Sequence, residues 1–254
     1  MDVVLIGAGN VAHVLGRTLK QAGHRIVSVW NRDQQKAGQL AQELMATVVE
    51  KPEQLPQDAD LYILAVSDYA ISELVGSFNI NKGILIHNAG TVAIDVLAPA
   101  AKKYGVLWPM KMIRTSMTTL GDCTIVVDGN DDDTRHQLEQ LAGQLSARVT
   151  QADDATRQKM HLVAAISSNF TNHMYHQAAD YCKNMGIDFS LFYPLIESAA
   201  IQIQTAYPGD VQAGPAFRGD NATIERHRAL LTGNPGLLRL YDEVTLSIRE
   251  KFAR

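Results

Sequence analysis

The sequence predicts an α/β protein: a Rossmann-type, doubly wound parallel sheet over residues 1–152, followed by a mainly α-helical domain over residues 153–254. Three observations support this fold class. Apolar stretches typical of strands alternate with helical patterns up to about residue 150. The first strand runs directly into a glycine-rich turn. After Asp154 the strand patterns nearly vanish, and long helical patterns separated by Pro and Gly follow.

Each element of the predicted sheet domain has its own pattern. Runs of consecutive apolar residues predict strands at 3–6, 25–30, 46–49, 61–66, 84–87, 105–108, 123–127 and 148–150. Helical spacing predicts helices near 10–22 and 34–45, and a longer one at 154–184. The stretch 61–66 is apolar throughout, as expected of a parallel strand that is buried on both faces.

The turn after the first strand carries a G-x-G-x-x-A fingerprint between a strand and a helix, the context that dinucleotide binding requires. Gly7 allows the sharp turn, Gly9 lets the backbone approach a pyrophosphate, and Ala12 lets helix and strand pack closely. Amides in the first helical turn, which contains Asn10 and Val11, can then face the phosphates. A tight turn without a ligand is the alternative.

The end of the second strand favours NADP over NAD. The fingerprint expects an acidic residue there to bind the ribose 2′-hydroxyl of NAD, but this chain has Asn31 and Arg32, with Lys36 one helical turn further. An amide and a guanidinium can bind the 2′-phosphate of NADP, which a carboxylate would repel. Asp33 is better suited to cap the following helix. Alternatively, Arg32 and Lys36 are solvated surface charges.

Further cofactor candidates follow the later strands, because ligands of such sheets bind outside the carboxyl ends of the strands. Val66, Ser67 and Asp68 follow one strand, and Asn88 to Gly90 follow the next. Ser67 and Asp68 also suit the N-cap of the next helix. Lys111 follows another strand and is either a substrate contact or a solvated charge. The predicted cofactor-binding residues are Gly7, Gly9, Asn10, Val11, Asn31, Arg32, Val66, Ser67, Asp68, Asn88 and Gly90.

Polar residues interrupt the apolar helix predicted at 154–184. With regular helical geometry, His161, Ser168 and Asn172 share one narrow face, and Asn169 lies beside it. A satisfied core network or a polar dimer face is the alternative to a substrate site. His173 and His176 lack further ligands at suitable spacing, so no metal site is predicted.

A second polar constellation spans residues 214–227. Asp220 suits a helix N-cap, and Asp220, Thr223 and His227 then share one face of that helix. Arg218 lies in a turn between small residues, where it can bind a carboxylate or phosphate. A well-capped helix with a structural Asp to Arg contact is the alternative. The predicted catalytic residues are His161, Asn172, Arg218, Asp220 and His227.

Composition excludes several classes of partner. The net charge of −4 gives no basic surface for nucleic acid, and two cysteines among 254 residues do not make a disulfide framework. No apolar run has the length of a membrane span, and the N-terminal segment does not have the pattern of a signal peptide. We therefore expect a cytoplasmic protein with no nucleic-acid or membrane partner.

Together these motifs resemble a bacterial family that joins a Rossmann-like NADP-binding domain to a helical C-terminal domain of unknown function. The resemblance covers essentially the whole chain and rests on the fingerprint and on residues 65–68, 86–90, 168–173 and 214–227. Members are labelled deazaflavin-dependent NADP oxidoreductases and are similar to pyrroline-5-carboxylate and ketopantoate reductases. The resemblance implies a homodimer formed through the C-terminal helices.

The wider superfamily often places a catalytic Lys one helical turn before an Asn on the first long helix. Here Lys159 is followed four residues later by Val163, so His161 or His227 is the expected proton donor. The predicted function is hydride transfer between NADPH and a small carbonyl or imine substrate. A deazaflavin-dependent NADP oxidoreductase and a non-catalytic NADP-binding sensor or scaffold are the alternatives.

Overall fold

The computed structural model describes residues 1–252. The chain packs as two compact units: Met1–Phe170, called here the sheet unit, and the part that begins at Thr171, called the helical unit. The sequence predicts that the cofactor domain ends at residue 152, whereas the sheet unit continues for eighteen residues, from 153 to 170. The assignment of residues 1–152 to cofactor binding and of residues 153–254 to substrate binding stays a prediction.

The sheet unit contains one eight-stranded sheet in the order β3-β2-β1-β4-β5-β6-β7-β8. All neighbouring strands are parallel except β6 and β7, which pair antiparallel. The strands are β1 (Asp2–Ile6), β2 (Arg25–Trp30), β3 (Thr47–Val49), β4 (Leu61–Leu64), β5 (Ile84–His87), β6 (Tyr104–Pro109), β7 (Thr124–Gly129) and β8 (Arg148–Gln151). The fold class and all eight predicted strands are confirmed, and no strand end differs from its prediction by more than two residues.

The core of the sheet unit lies on both faces of this sheet. In β1, Val3 and Leu5 pack into a cluster on one face, while Val4 and Ile6 pack into a cluster on the other. Successive side chains of a strand point to opposite faces. Four apolar residues in a row are therefore typical of a strand in a sheet that is covered on both faces. The covering helices are α1 (Asn10–Gln21), α2 (Gln34–Leu44), α3 (Asp68–Leu74), α4 (Asp132–Leu145) and α5 (Asp154–Ala164).

Aspartate caps fix where several of these helices begin. The Asp33 side chain accepts hydrogen bonds from the backbone amides of Gln35 and Lys36, at 3.0 and 3.2 Å. Asp153 caps α5 in the same way, through the amide of Thr156. Such caps satisfy amides that the helix itself leaves unpaired. The predicted capping role of Asp33 is confirmed.

The prediction of one regular α-helix over 154–184 is wrong for the middle of this range. After α5, residues Ala165–Phe170 form a π-helical segment, and α6 (Thr171–Met185) follows. A π-helical turn holds more residues than an α-helical one, so the angular positions of residues beyond it shift. The face that was predicted to join His161, Ser168 and Asn172 therefore does not follow from regular spacing.

The helical unit consists of α6, α7 (Tyr193–Gln202), α8 (Pro215–Arg218), α9 (Asn221–Leu230) and α10 (Pro235–Phe252). This confirms the predicted helical C-terminal region. No helix within residues 1–252 is both long enough and apolar enough to cross a membrane. The described residues also contain no cluster of three or more metal-ligating side chains.

Candidate functional site

A cleft of about 620 Å³ lies in the sheet unit at the carboxyl ends of β1, β2, β4, β5 and β6. We call it the cofactor cleft. Its walls include most of the residues predicted from the sequence to bind the cofactor, namely Gly7, Gly9, Asn10, Val11, Asn31, Arg32, Val66, Ser67 and Asn88. The other two predicted residues do not line the cleft: Asp68 directly follows Ser67, and Gly90 lies two residues after Asn88.

The two glycines of the fingerprint have different roles in the cleft. Gly7 has φ +119°, and a Cβ atom added there would lie 2.3 Å from the carbonyl oxygen of Ala65, so no other residue fits. At Gly9 an added Cβ would meet nothing within 4 Å, because it would project into open space. Gly9 is also the N-cap of α1 and makes no side-chain capping bond. The first amides of a twelve-residue helix thus face a space that suits a pyrophosphate.

Asn10 contributes to the wall of the cleft through a neighbouring loop. Its side-chain amide donates to the carbonyl oxygen of Ile113 at 3.4 Å, and its Oδ1 accepts from the hydroxyl of Thr115 at 2.9 Å. These bonds tie the loop after β6 to the start of α1. The Asn10 side chain therefore positions this wall, while its backbone stays in the first turn of the helix.

The residues after β2 suit a 2′-phosphate. The Asn31 side chain donates to the carbonyl oxygen of Asp33 at 3.0 Å, and the Asp33 carboxylate is used in the helix cap. Arg32 and Lys36 line the cleft and are exposed, and Lys36 is only 3.8 Å from Asp33 across a solvated ion pair. With the carboxylate turned to the cap, cationic groups remain available for a phosphate.

Asn88 supplies a second sign that a ligand belongs in the cleft. Its side-chain amide donates to the carbonyl oxygen of Leu107 at 2.6 Å, whereas its buried Oδ1 has no hydrogen-bond partner among the described residues. An unpartnered buried oxygen costs free energy unless a ligand or water donates to it. The carboxamide of a nicotinamide offers such a donor.

Ser67 and Asp68 share the start of α3. Ser67 occupies the N-cap, but its side chain makes no capping hydrogen bond, so its hydroxyl remains available in the cleft. Asp68 accepts from the hydroxyl of Thr91 at 2.9 Å, which joins α3 to the loop after β5. Ser67 is therefore the N-cap residue, as the sequence indicated, although its hydroxyl bonds no amide of α3.

A smaller cavity of about 280 Å³ adjoins the cofactor cleft, and both are lined by Trp108 and Lys111. His161 lines this cavity, which we call the His161 cavity, and its ring lies 5.6 Å from the ring of Trp108. The remaining walls are mostly apolar, with hydroxyl and amide groups from the π-helical segment; they are Met110, Met112, Ala164, Ala165, Ser167, Ser168 and Asn169. The cavity thus brings the His161 imidazole together with apolar, hydroxyl and amide side chains.

For Lys111 the sequence leaves two interpretations, a substrate contact or a solvated charge. Its ammonium donates to the carbonyl oxygen of Leu120 at 2.7 Å, so part of its hydrogen-bonding capacity is used within the protein. The side chain is exposed, and its roles as a substrate contact or a solvated charge both stay predictions. Lys111 secures the loop that forms the shared wall of the two cavities.

His87, the last residue of β5, is buried directly before Asn88. Burial and the nearby Arg157 cation lower the pKa of His87 to about 4. The ring is therefore neutral near pH 7, and its Nδ1 accepts from the amide of Ala89 at 3.1 Å. A neutral, hydrogen-bonded His87 fixes the backbone at the start of the loop that carries Asn88 and Gly90.

The remaining predicted catalytic residues lie in the helical unit. Asp220 caps α9 by accepting from the amide of Thr223 at 3.0 Å, which confirms its capping role. Arg218 is exposed at the end of α8, and no ion pair joins it to Asp220 within residues 1–252. The Nδ1 atom of His227 lies 3.0 Å from the Tyr241 hydroxyl.

His227 also lines a strongly apolar cavity of about 430 Å³ inside the helical unit, together with Cys182 and Leu231. Asn172 lies in the first turn of α6 and is exposed. The catalytic roles predicted for these residues stay predictions.

Sequence reasoning did not select several residues that shape the two cavities. Met110 and Met112 carry no chemical motif, and nothing in the sequence distinguishes them from core residues. Asp154 and Arg157 precede His161 by seven and four residues, so helical spacing alone places them on its face. That spacing was the signal that could have identified them.

The comparisons with known proteins agree with this geometry. Residues 2–99 match the family model described as NADP oxidoreductase coenzyme F420-dependent, and residues 123–248 match a domain of unknown function, DUF2520. No curated protein matches the chain.

Solved structures resemble the chain over nearly its full length. A Bacteroides fragilis structure described as an NADP oxidoreductase is 33% identical, covers 98% of each chain and has a TM-score of 0.91. A 1-pyrroline-5-carboxylate reductase from Streptococcus pyogenes is 14% identical, covers 99% of this chain and 97% of its own, and has a TM-score of 0.69. A reductive aminase from Aspergillus terreus, solved with NADPH, is 16% identical, covers 99% and 94%, and has a TM-score of 0.72.

The two more distant structures show the fold alone, whereas the Bacteroides protein is similar enough to show the family. The cofactor is accordingly NADP, in agreement with Asn31 and Arg32 at the end of β2. The chain therefore belongs to the family of NADP-dependent oxidoreductases that joins an NADP oxidoreductase domain to a C-terminal DUF2520 domain.

Proposed function

We propose that this oxidoreductase reduces a small carbonyl or imine compound with NADPH. The observation that carries the proposal is the His161 cavity, which shares Trp108 and Lys111 with the cofactor cleft. A substrate there would adjoin the end of the cleft where Asn88 offers an unpartnered oxygen. Bound NADPH supplies a hydride from the C4 position of its nicotinamide.

The residues of the cavity supply what the hydride does not. When a hydride adds to a carbonyl or imine carbon, the double bond opens toward oxygen or nitrogen, and that atom must gain a proton. An imidazole ring can carry a proton on nitrogen and donate it to such an atom, so we assign the proton donor to His161. Trp108 and the two methionines of the cavity exclude water from the reacting carbon, while Ser168 and Asn169 can orient the polar end of the substrate.

The size and lining of the cavity support a small substrate. At about 280 Å³ it lies just below the usual range of ligand-site volumes, and Ser167, Ser168 and Asn169 supply hydroxyl and amide groups for a small polar substrate. A deazaflavin, with three fused rings and a polar chain, is larger than this space. We nevertheless retain deazaflavin-linked reduction of NADP as the second candidate, because residues 2–99 match a coenzyme F420-dependent family model.

The test is NADPH oxidation by the purified protein against three panels: 2-oxo acids, cyclic imines and a deazaflavin. The proposal predicts turnover with a carbonyl or imine compound. Turnover with the deazaflavin alone would favour the second candidate. Tight NADPH binding without turnover on any panel would favour a sensor or scaffold instead.

We further propose that Arg218, supported by Asp220 and His227, binds the carboxylate of an anionic substrate. The exposed guanidinium of Arg218 has no ion-pair partner in the described part of the chain and is free to bind a carboxylate. We expect Arg218→Ala to raise the KM of a 2-oxo acid about tenfold and to leave the KM of an uncharged imine unchanged. Equal effects on both substrates would contradict this role.

Finally, we propose a homodimer formed through the helical unit. Its helices expose many large apolar side chains, among them Leu191, Leu195, Tyr207 and Leu230. Their number exceeds the few scattered apolar residues that are normal on a monomer's surface. Light scattering at micromolar concentration should give twice the monomer mass, and a monomer would refute the claim. The buried free thiols Cys123 and Cys182 support a cytoplasmic location, where thiols stay reduced.

A further inference from the structure

Arg157 is the most unusual buried residue of the sheet unit, because its side chain is 0% exposed. Its Nη2 donates to the carbonyl oxygen of Val92 and to Oδ1 of Asp154, each at 2.5 Å. Its Nε and Nη1 have no hydrogen-bond partner among residues 1–252. Arginine is rarely buried completely, since removing the cation from water is costly unless it is held by partners. A buried arginine is thus not explained by packing alone.

One partner of Arg157, Val92, lies on the loop that begins at Asn88, and the other, Asp154, lies on α5. We call residues 88–94 the Asn88 loop. Besides the Val92 contact, the amide of Ile94 donates to both carboxylate oxygens of Asp154 at 3.3 Å. The side chain of Gln158 donates to the carbonyl oxygen of Thr91 at 3.3 Å. Hydrogen bonds with three side chains of α5 therefore hold the loop against this helix.

These contacts come from one face of α5. Asp154, Arg157, Gln158 and His161 follow the spacing i, i+3, i+4 and i+7, which places them in a row along a helix. The first three contact the Asn88 loop, and the fourth lines the His161 cavity. The face that holds the loop is thus the face that presents the proposed proton donor.

The loop and the helix also touch at the site itself. A Cβ atom added to Gly90 would lie 2.4 Å from Cδ2 of His161 and 3.0 Å from the ring of Trp108. The contact leaves no room for a side chain, so a small movement of the loop must move His161 or separate the two. Asn88 at one end of the loop and His161 on the helix are therefore mechanically linked.

We propose that Arg157, held by Asp154, is a positioning residue that clamps the Asn88 loop onto α5 and so fixes Asn88 and His161 relative to each other. The expected effect on turnover rests on the proposed function, whereas the contact between the Asn88 loop and α5 does not. Proton and hydride transfer tolerate little displacement, and errors near 1 Å can cost about 100-fold in rate. The clamp would therefore act on turnover more than on cofactor affinity.

The test is Arg157→Met compared with Arg148→Met. Arg148 lies in β8 of the same unit and forms an exposed ion pair with Asp122, so its variant also removes one arginine and one ion pair. Hydrogen exchange, NADPH affinity and steady-state kinetics are measured on both. We expect Arg157→Met to speed amide exchange in residues 88–94 and 154–161 about tenfold, with β1 and β2 unchanged.

In the same variant, kcat for the best substrate should fall at least about tenfold, while the Kd for NADPH stays within about threefold. Arg157→Lys keeps the cation and can make one of the two bonds, so it should restore part of the lost kcat. Arg148→Met should leave exchange and kinetics unchanged.

Unchanged exchange in the Asn88 loop would overturn the proposal. So would a uniform rise in exchange across the sheet unit together with full kcat in the folded fraction. If Arg157→Met does not fold, Asp154→Asn, which keeps the arginine, decides by the same criteria. If the unmodified protein reduces no carbonyl or imine, the proposed function fails, but the exchange data still decide whether the clamp exists.

Discussion

The sheet unit and the helical unit bury their apolar residues to very different extents. In the sheet unit, whole strands are inaccessible to water, and Leu5 is 0% exposed. In the helical unit, only Cys182, Ile224 and Leu231 are buried apolar residues within the described range, whereas Leu195 is 67% and Tyr207 74% exposed. The sheet unit therefore has a large core of its own, whereas the helical unit leaves much apolar surface exposed, which is the surface of the proposed dimer.

This difference separates two kinds of stability. Apolar area that one chain removes from water stabilises the fold at any protein concentration. Apolar area that is covered by a second copy stabilises it only as the copies associate, so the apparent stability rises with concentration. The predictions below test where each kind applies, beginning with the largest expected effect.

The variants Leu5→Ala and Leu195→Ala compare the truncation of a buried leucine of the sheet unit with that of an exposed leucine of the helical unit. Leu5 is fully buried in β1, so its truncation should lower the free energy of unfolding by about 2–5 kcal/mol through lost burial and a cavity. That loss should not depend on protein concentration. Leu195→Ala should lower the melting temperature mainly at low concentration, because it would weaken the proposed dimer.

Thermal denaturation over a wide concentration range would measure both effects. A concentration-independent loss for Leu195→Ala would mean that the helical unit is stabilised within one chain. Such a result would break the contrast between the two units.

The pH dependence of stability should also come from the sheet unit. The pKa of His87 falls from 6.5 to about 4 on folding, so between these values the unfolded chain binds a proton that the folded chain excludes. Stability should therefore be complete above about pH 6.5 and fall as the pH drops toward 4, by on the order of 3 kcal/mol in total.

Urea unfolding at a series of pH values checks this expectation. His87→Asn keeps an acceptor for the Ala89 amide but cannot titrate, so its stability should change much less between pH 6.5 and 4. His136→Asn, at an exposed histidine of α4, is the matched control and should retain the full pH dependence. Identical pH profiles for His87→Asn and the unmodified protein would contradict the assignment.

The smallest of these effects concerns cofactor choice within the sheet unit. Arg32→Asp replaces a cation of the cofactor cleft by an anion, so the affinity for NADPH should fall about tenfold or more, and NADH should bind as well or better. Fluorescence titration with both nucleotides measures this change. Lys20→Asp, at the end of α1, makes the same change of charge outside the residues that line the cleft. An equal loss in both variants would show a general charge effect only.

The sheet unit was largely predictable from the sequence because its signals are local. The fingerprint around Gly7, the continuous apolar strands and the cap at Asp33 each depend on residues that are close together in the chain. The antiparallel pairing of β6 with β7 was not anticipated, since the parallel pattern of the earlier strands was extended to the whole sheet.

The site near His161 was harder to predict because it depends on contacts between distant segments. The π-helical segment at residues 165–170 disturbs the regular spacing that was used to group His161 with Asn172. Ser167 to Asn169 line the His161 cavity, but only the fold shows that they adjoin Met110 and Met112. Likewise, the link between Arg157 and Val92 spans 65 residues and leaves no trace in local pattern.

The most direct test of the account is His161→Asn, measured for kcat and for NADPH affinity on the same samples. Asparagine fits the space and can form a hydrogen bond, but it cannot deliver a proton. We predict that kcat for the preferred carbonyl or imine substrate falls about 100-fold or more, while the Kd for NADPH and the melting temperature stay unchanged. Full turnover in this variant would contradict the central claim that the His161 cavity is where the substrate is reduced.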